Sequence, residues 1–175
     1  MAVRYPRGRG AGVILDTELH EMPVGKGEIL RHGEDVAIIA LGASVAPSLE
    51  AAAELAARGI EATVVNARFA KPLDTAIIYN LADRIKRIVT VEENVLAGGF
   101  GSGVAVVLAE SGRHDVTLTN IGLKDEFVEH GTQPVLRSKY GLDVAGIVRR
   151  VMDLFPETIE VQHKETGDKT QTAQR

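Results

Sequence analysis

Between residues 27 and 155, short apolar runs alternate with longer segments of helical periodicity. Continuous apolar runs at 36–41 (VAIIAL), 62–66 (ATVVN) and 87–92 (RIVTVE) are typical of strands buried on both faces of a sheet. A further strand is predicted at 116–121 (VTLTNI). Strands that alternate with helices form βαβ units and parallel sheets. The pattern therefore predicts an α/β fold, a three-layer α/β/α sandwich with a mostly parallel sheet of about five strands.

Small and polar residues indicate where the helices begin and end. Ser44, Asp74 and Asp143 are candidate N-caps, because a side-chain oxygen there can accept a free backbone N–H. Gly59 and Gly141 are candidate helix stops. The helices expected from this pattern lie at 45–58, 75–86, 102–111, 134–140 and 144–155.

The segment 27–31 (GEILR) precedes the first buried strand across a turn-like stretch at 32–35 (HGED). Two strand-like runs joined by such a short polar stretch predict an antiparallel hairpin. We therefore expect one antiparallel strand at the edge of the sheet.

The chain divides into three zones. Residues 1–26 are irregular and rich in glycine, residues 27–155 carry the alternating pattern, and residues 156–175 are mostly polar. With 175 residues, the chain is long enough for one domain with a sizeable core. The last zone has too little apolar surface to offset its ordering entropy, so we expect a disordered tail.

Composition excludes several classes of function. The net charge of -4 gives no basic surface for nucleic acid or anionic lipid, so neither partner is expected. There is no cysteine, which rules out disulfides, a thiolate nucleophile and cysteine-ligated metal. No membrane-spanning run of about 18 apolar residues and no signal-peptide pattern is found, which fits a cytoplasmic protein.

A glycine-rich turn at 92–103 (EENVLAGGFGSG) links a predicted strand to a helix. Such a turn can bind phosphate through backbone N–H groups, but the spacing matches neither the dinucleotide nor the P-loop fingerprint. Glu92 and Glu93 directly before it would repel a phosphate. A tight crossover with close backbone approach is the favoured interpretation. A nucleotide site, a subunit contact and a wall of a site shared with another domain remain alternatives.

Other candidate residues carry weaker signals. Arg7 lies between Pro6 and Gly8, which could aim its guanidinium at a phosphate, although the residues alone favour a solvated arginine. His130 follows the last strand, where α/β proteins bind ligands, but a surface loop is the better interpretation. Lys71 and Asp74 are interpreted as the start of a helix. The five histidines show no metal or triad spacing, so no metal ligand and no catalytic residue is predicted.

Six motifs occur together in an order that identifies a family. They are RYPRG at 4–8, MPVGKG at 22–27, NARFAKPLD at 66–74, VTVEENVLAGGFGSG at 89–103, NIGLKDEFVEHGTQ at 120–133 and GLDVAGI at 141–147. Over residues 2–155 the chain resembles the C-terminal region of the 1-deoxy-D-xylulose-5-phosphate synthases, thiamine-diphosphate enzymes related to transketolase. One such motif is weak evidence, but six in order are strong.

The resemblance implies a part of a larger enzyme. These synthases condense pyruvate with D-glyceraldehyde 3-phosphate, release carbon dioxide, and supply isoprenoid, thiamine and pyridoxal synthesis. The resemblance implies that residues 1–26 end the pyrimidine-binding domain and that residues 27–155 form the transketolase C-terminal domain. The family's G-D-G…N magnesium motif is absent from the chain. Thiamine diphosphate and magnesium are therefore expected in the intact enzyme and not in this chain, which is expected to be structural and inactive alone.

The resemblance also implies partners and one site residue. The remaining synthase domains, in the same chain or in a split partner, and a homodimer of the intact enzyme are expected. Arg7 matches an arginine that contacts the aldehyde substrate's phosphate in the family. Two alternatives stay open, namely a free-standing binding or regulatory module of this fold and the C-terminal part of a 2-oxo acid dehydrogenase β subunit.

Overall fold

The computed structural model describes residues 2–5, 17–18 and 20–156. Its strands are β1 (Glu28–Arg31), β2 (Val36–Ala40), β3 (Ala62–Asn66), β4 (Arg87–Val95) and β5 (Thr117–Leu123). Its helices are α1 (Val45–Ala56), α2 (Thr75–Arg84), α3 (Phe100–Glu110), α4 (Gln133–Tyr140) and α5 (Val144–Met152). A short 3-10 turn, Gly42–Ser44, precedes α1.

The five strands form one sheet in the order β1-β3-β2-β4-β5. Strands β2 to β5 are parallel, and β1 runs antiparallel to β3 at the edge. Alternate residues of β2 face opposite sides. Ile38 packs with α1 and α5 on one side, and Ile39 packs with α2 and α3 on the other. Two apolar cores therefore separate three layers, and the predicted α/β/α sandwich with one antiparallel edge strand is confirmed.

The predicted hairpin between the first two strands is wrong. Strand β1 pairs with β3, with Ile29 opposite Val65. Strand β2 is buried at all five positions and takes the centre of the sheet, between two parallel neighbours. The connection therefore crosses the amino end of β3, where Gly33 N–H donates to Thr63 Oγ1 at 2.9 Å. A Cβ on Gly33 would lie 2.5 Å from the backbone of Glu61 and Ala62, so only glycine fits this crossing.

Two of the three predicted N-caps are confirmed. Asp74 accepts from Ile77 N–H at 3.3 Å and Asp143 from Gly146 N–H at 2.9 Å. Ser44 is not a side-chain cap, because the 3-10 turn already places it in helical backbone and its hydroxyl makes no capping bond. Gly59 and Gly141 have positive φ angles of 79° and 69°, which confirms both as helix stops.

Two further expectations concern the C-terminal tail and membrane-spanning helices. From residue 157 onward, the predicted disordered tail lies outside the described residues. Within the described ranges, no helix has the length and apolarity needed to cross a bilayer.

Asp74 does more than cap α2. Its carboxylate, 10% exposed, also accepts from Gly27 N–H at 3.1 Å and lies 3.4 Å from Lys26 Nζ. Burial raises the pKa of this carboxyl, but the hydrogen bonds from Gly27, Ile77 and Lys26 outweigh it, and the pKa falls below the ordinary 3.8. Asp74 thus joins the start of β1 to the start of α2.

The lowered pKa of Asp74 predicts a pH-dependent contribution to stability. A carboxyl with a depressed folded-state pKa stabilises the fold above its ordinary pKa, and that contribution is lost as pH falls through the folded value. Asp74→Asn should lower the free energy of unfolding by about 1 kcal/mol at pH 7, with a difference from wild type that shrinks below about pH 4. Urea unfolding of both proteins at stepped pH measures this. A difference that is constant from pH 7 to pH 3 would contradict it.

Candidate functional site

A groove with a volume of about 670 Å³ runs along the carboxyl ends of β2, β3 and β4. From β2 the chain continues to β3 on one side, and β4 then lies on the other side of β2, so the strand order reverses here. Ligands of open α/β sheets bind at this kind of position. The lining comes from the loops after the three strands and from the segment at the start of the chain: Ala2, Arg4, Tyr5, Leu41, Gly42, Ala43, Arg68, Phe69, Ala70, Lys71, Glu93 and Asn94.

The groove carries charged side chains of both signs. Arg68 has a left-handed backbone with φ 57°, and its N–H donates to Asn66 Oδ1 at 3.1 Å. The Arg68 guanidinium forms an ion pair with Glu28. Glu93 forms an ion pair with Arg137 of α4 at 2.7 Å. These contacts fix the walls of the groove. The sequence reading missed Arg68, although an asparagine two residues earlier is a signal for such a turn.

Across the described ranges, no three His, Cys, Asp or Glu side chains are placed to hold a metal ion. His20, His32, His114 and His130 are all exposed, and His130 lies between β5 and α4. Lys71 is exposed at the rim of the groove. Arg7 and His163 lie outside the described residues.

The glycine turn holds an anion that belongs to the chain itself. Glu92 is fully buried, and its two carboxylate oxygens accept from Phe100 N–H and Gly101 N–H, each at 2.8 Å. These are the first N–H groups of α3, where a helix attracts negative charge. A phosphate would have to displace Glu92 to use them. The tight-crossover interpretation is therefore supported, and Glu92 fills the position that a phosphate would take.

The glycines allow this close approach. A Cβ on Gly99 would lie 2.6 Å from a carboxylate oxygen of Glu92 and 2.4 Å from the carbonyl oxygen of Val95. A Cβ on Gly101 would lie 2.5 Å from Thr90 Oγ1, which donates to Asn120 Oδ1 at 2.7 Å. Because Glu92 caps it, α3 begins at Phe100, two residues before the predicted start. Strand β4 extends to Val95.

Comparisons with known proteins agree on one family. Residues 25–147 match the sequence model for the transketolase C-terminal domain. Over 147 residues the chain is 56% identical to 1-deoxy-D-xylulose-5-phosphate synthase 1 of Geobacter sulfurreducens, which covers 84% of the chain and 23% of that protein. Over 149 residues it is 53% identical to the synthase of Desulforudis audaxviator, covering 85% of the chain and 24% of that protein. The chain thus spans about a quarter of the length of the curated relatives it matches.

Solved structures agree with the fold. A split gene transketolase, described as an inactive beta4 tetramer, superposes with a TM-score of 0.71 at 38% identity, over 77% of this chain and 43% of that one. The transketolase of Campylobacter jejuni gives a TM-score of 0.54 at 19% identity, over 76% of this chain and 20% of that one. The second match supports the fold alone.

Two adjacent glutamates allow a matched test of the buried carboxylate. Glu92→Gln keeps the shape of the side chain but removes its charge and turns an amide N–H₂ towards a backbone N–H donor. The free energy of unfolding should therefore fall by about 2–4 kcal/mol. Glu93→Gln weakens a partly exposed ion pair and should cost less than about 1 kcal/mol. Chemical unfolding at pH 7 measures both. Equal losses for the two variants would show that the Glu92 cap has no special role.

Proposed function

The chain belongs to the transketolase C-terminal domain family, and we propose that it forms the C-terminal region of a 1-deoxy-D-xylulose-5-phosphate synthase. The observation that carries the proposal is the 56% identity over 147 residues to a synthase of Geobacter sulfurreducens. The complete enzyme would condense pyruvate with D-glyceraldehyde 3-phosphate and release carbon dioxide, which makes it a transferase of isoprenoid biosynthesis.

Within that enzyme, this chain is a structural and interfacial domain. Two features of the described residues argue against a site for thiamine diphosphate and its magnesium ion in this chain. The N–H groups at the glycine turn are taken by Glu92, and no group of side chains in the described ranges is placed for a metal. The cofactor and magnesium are therefore assigned to the other domains. We expect the chain alone neither to bind thiamine diphosphate nor to decarboxylate pyruvate.

The proposal assigns the zones of the chain and its assembly. Residues 1–26 would end the pyrimidine-binding domain and link it to the C-terminal domain at 27–155. The partners would be the remaining synthase domains, in the same chain or in a separate one, and the intact cytoplasmic enzyme would be a homodimer. A split gene transketolase has a similar fold, so the proposal includes both a single chain and two separate chains.

Arg7 is proposed to contact the phosphate of glyceraldehyde 3-phosphate in the intact enzyme. It belongs to the RYPRG motif, and the first two residues of that motif, Arg4 and Tyr5, line the groove. A guanidinium binds a phosphate through two parallel hydrogen bonds. In the isolated chain, Arg7 would have no substrate to bind.

A chimeric enzyme tests the proposed function. The matching region of the Geobacter sulfurreducens synthase is replaced by residues 2–155 of this chain, and formation of 1-deoxy-D-xylulose 5-phosphate is measured with thiamine diphosphate and Mg²⁺. We expect kcat/KM within about tenfold of the parent, which is about 1.4 kcal/mol in transition-state free energy. A folded, stable chimera without activity would contradict the proposal, and a free-standing module or dehydrogenase part would then be favoured.

Arg7→Ala in this chimera tests the site assignment. Loss of a charge-assisted bidentate contact of about 2–4 kcal/mol should lower kcat/KM for glyceraldehyde 3-phosphate by roughly 30- to 1000-fold. Arg7→Lys keeps the charge without the planar fork and should fall between. D-Glyceraldehyde, which has no phosphate, should be used almost equally by wild type and Arg7→Ala. Equal losses with both aldehydes would mean that Arg7 only holds the loop.

A further inference from the structure

We propose that the preceding part of the enzyme packs on the surface formed at the carboxyl ends of the parallel strands. We call it the carboxyl-edge surface and define it by Tyr5, Val95, Phe127, Val128 and Val135. The inference rests on the proposed function and adds to it the location of the interdomain contact.

The defining residues lie together at the carboxyl ends of the parallel strands. Val95 ends β4 and pairs with Leu123 at the end of β5, and the loop carrying Phe127 and Val128 follows directly. Val135 lies in the first turn of α4, and the ion pair between Arg137 and Glu93 ties that helix to β4. Tyr5 lines the groove that Glu93 also lines. The surface is therefore continuous with the groove.

The exposure of these side chains is unusual for a surface facing water. Phe127 is as exposed as in an extended chain, at 105%, and Val135 is 62% exposed. The large exposed hydrophobic residues of the described ranges include none in the loops at the amino ends of β2 to β5. Exposed apolar residues that concentrate in one patch mark an interaction site. Burial of a phenylalanine side chain stabilises an interface because it removes apolar surface from water.

The direction of the chain indicates what covers this surface. Ala2, Arg4 and Tyr5 line the groove, so in the proposed enzyme the preceding polypeptide would reach the domain at this edge. The curated relatives are about four times as long as the region shared with this chain. In the proposed enzyme, the remaining domains would therefore lie next to the edge where the chain arrives.

The charge of the loop argues against a second copy of this chain as the occupant. Phe127 is flanked by Asp125 and Glu126, both exposed, and by Glu129, which is exposed and pairs with Lys139. A symmetric contact through Phe127 would place these carboxylates against their own copies, and like charges at an interface are unfavourable. A partner with basic side chains around an apolar pocket fits better.

Hydrogen exchange in the isolated chain and in the Geobacter chimera tests the proposal. We expect the backbone amides of 124–130 to exchange at least about tenfold more slowly in the chimera, because the loop is covered there. Phe127→Ser should remove most of this difference. The control variant is Val106→Ser, because this valine of α3 is 54% exposed but is not part of the carboxyl-edge surface. It should leave the exchange difference at 124–130 unchanged. The full exposure of Phe127 means that its substitution leaves the fold intact.

The outcomes separate the contact from the function. Equal exchange of 124–130 in both proteins would overturn the proposal. So would protection in the isolated chain that grows with its concentration and is lost in Phe127→Ser, since the occupant would then be a second copy. Protection in a chimera without synthase activity would support the contact and reject the function. Activity without protection would reject the contact alone.

Discussion

The contact between the Glu92 carboxylate and the first N–H groups of α3 is the constraint on which the carboxyl edge of this domain depends. A charged side chain at the end of a buried strand is costly unless it is fully hydrogen-bonded. Here both oxygens are bound by Phe100 and Gly101, and the start of the helix is satisfied at the same time. The price is a backbone so close to the carboxylate that Gly99 has no room for a side chain.

The next residue along the strand faces the other way and acts on the surface. Glu93 forms an ion pair with Arg137, which links α4 to the carboxyl end of β4. One carboxylate thus fixes the helix inside the domain, and its neighbour orders the edge that we assign to the contact with the rest of the enzyme. Because Glu92 occupies the first N–H groups of α3, the glycine-rich turn after β4 serves here as scaffold.

Much of the fold follows from the sequence because burial and capping leave local signals. The apolar runs of β2, β3 and β4 and the caps Asp74 and Asp143 can be read from residue type and spacing alone. The partner of β1 could not be read, because strand order depends on which strand takes the centre of the sheet, and a short turn suggested the wrong neighbour. The failure of Ser44 as a cap could not be read either, because the 3-10 turn that places it in helical backbone leaves no local signature in the sequence.

The role of Glu92 could be predicted only in part. A carboxylate that ends an apolar run calls for a buried partner, and the glycines indicate close approach, but the sequence does not show that the two features meet. Arg7 lies outside the described residues, and its role is proposed from family resemblance.

Amide chemical shifts of the isolated chain during titration with inorganic phosphate test the central claim most directly. If Glu92 fills the glycine turn, the Phe100 and Gly101 amide signals should not move as phosphate is added, and both should exchange with solvent as slowly as the core of the sheet. Saturable shifts of these two signals, or exchange as fast as in the exposed loops, would contradict the account.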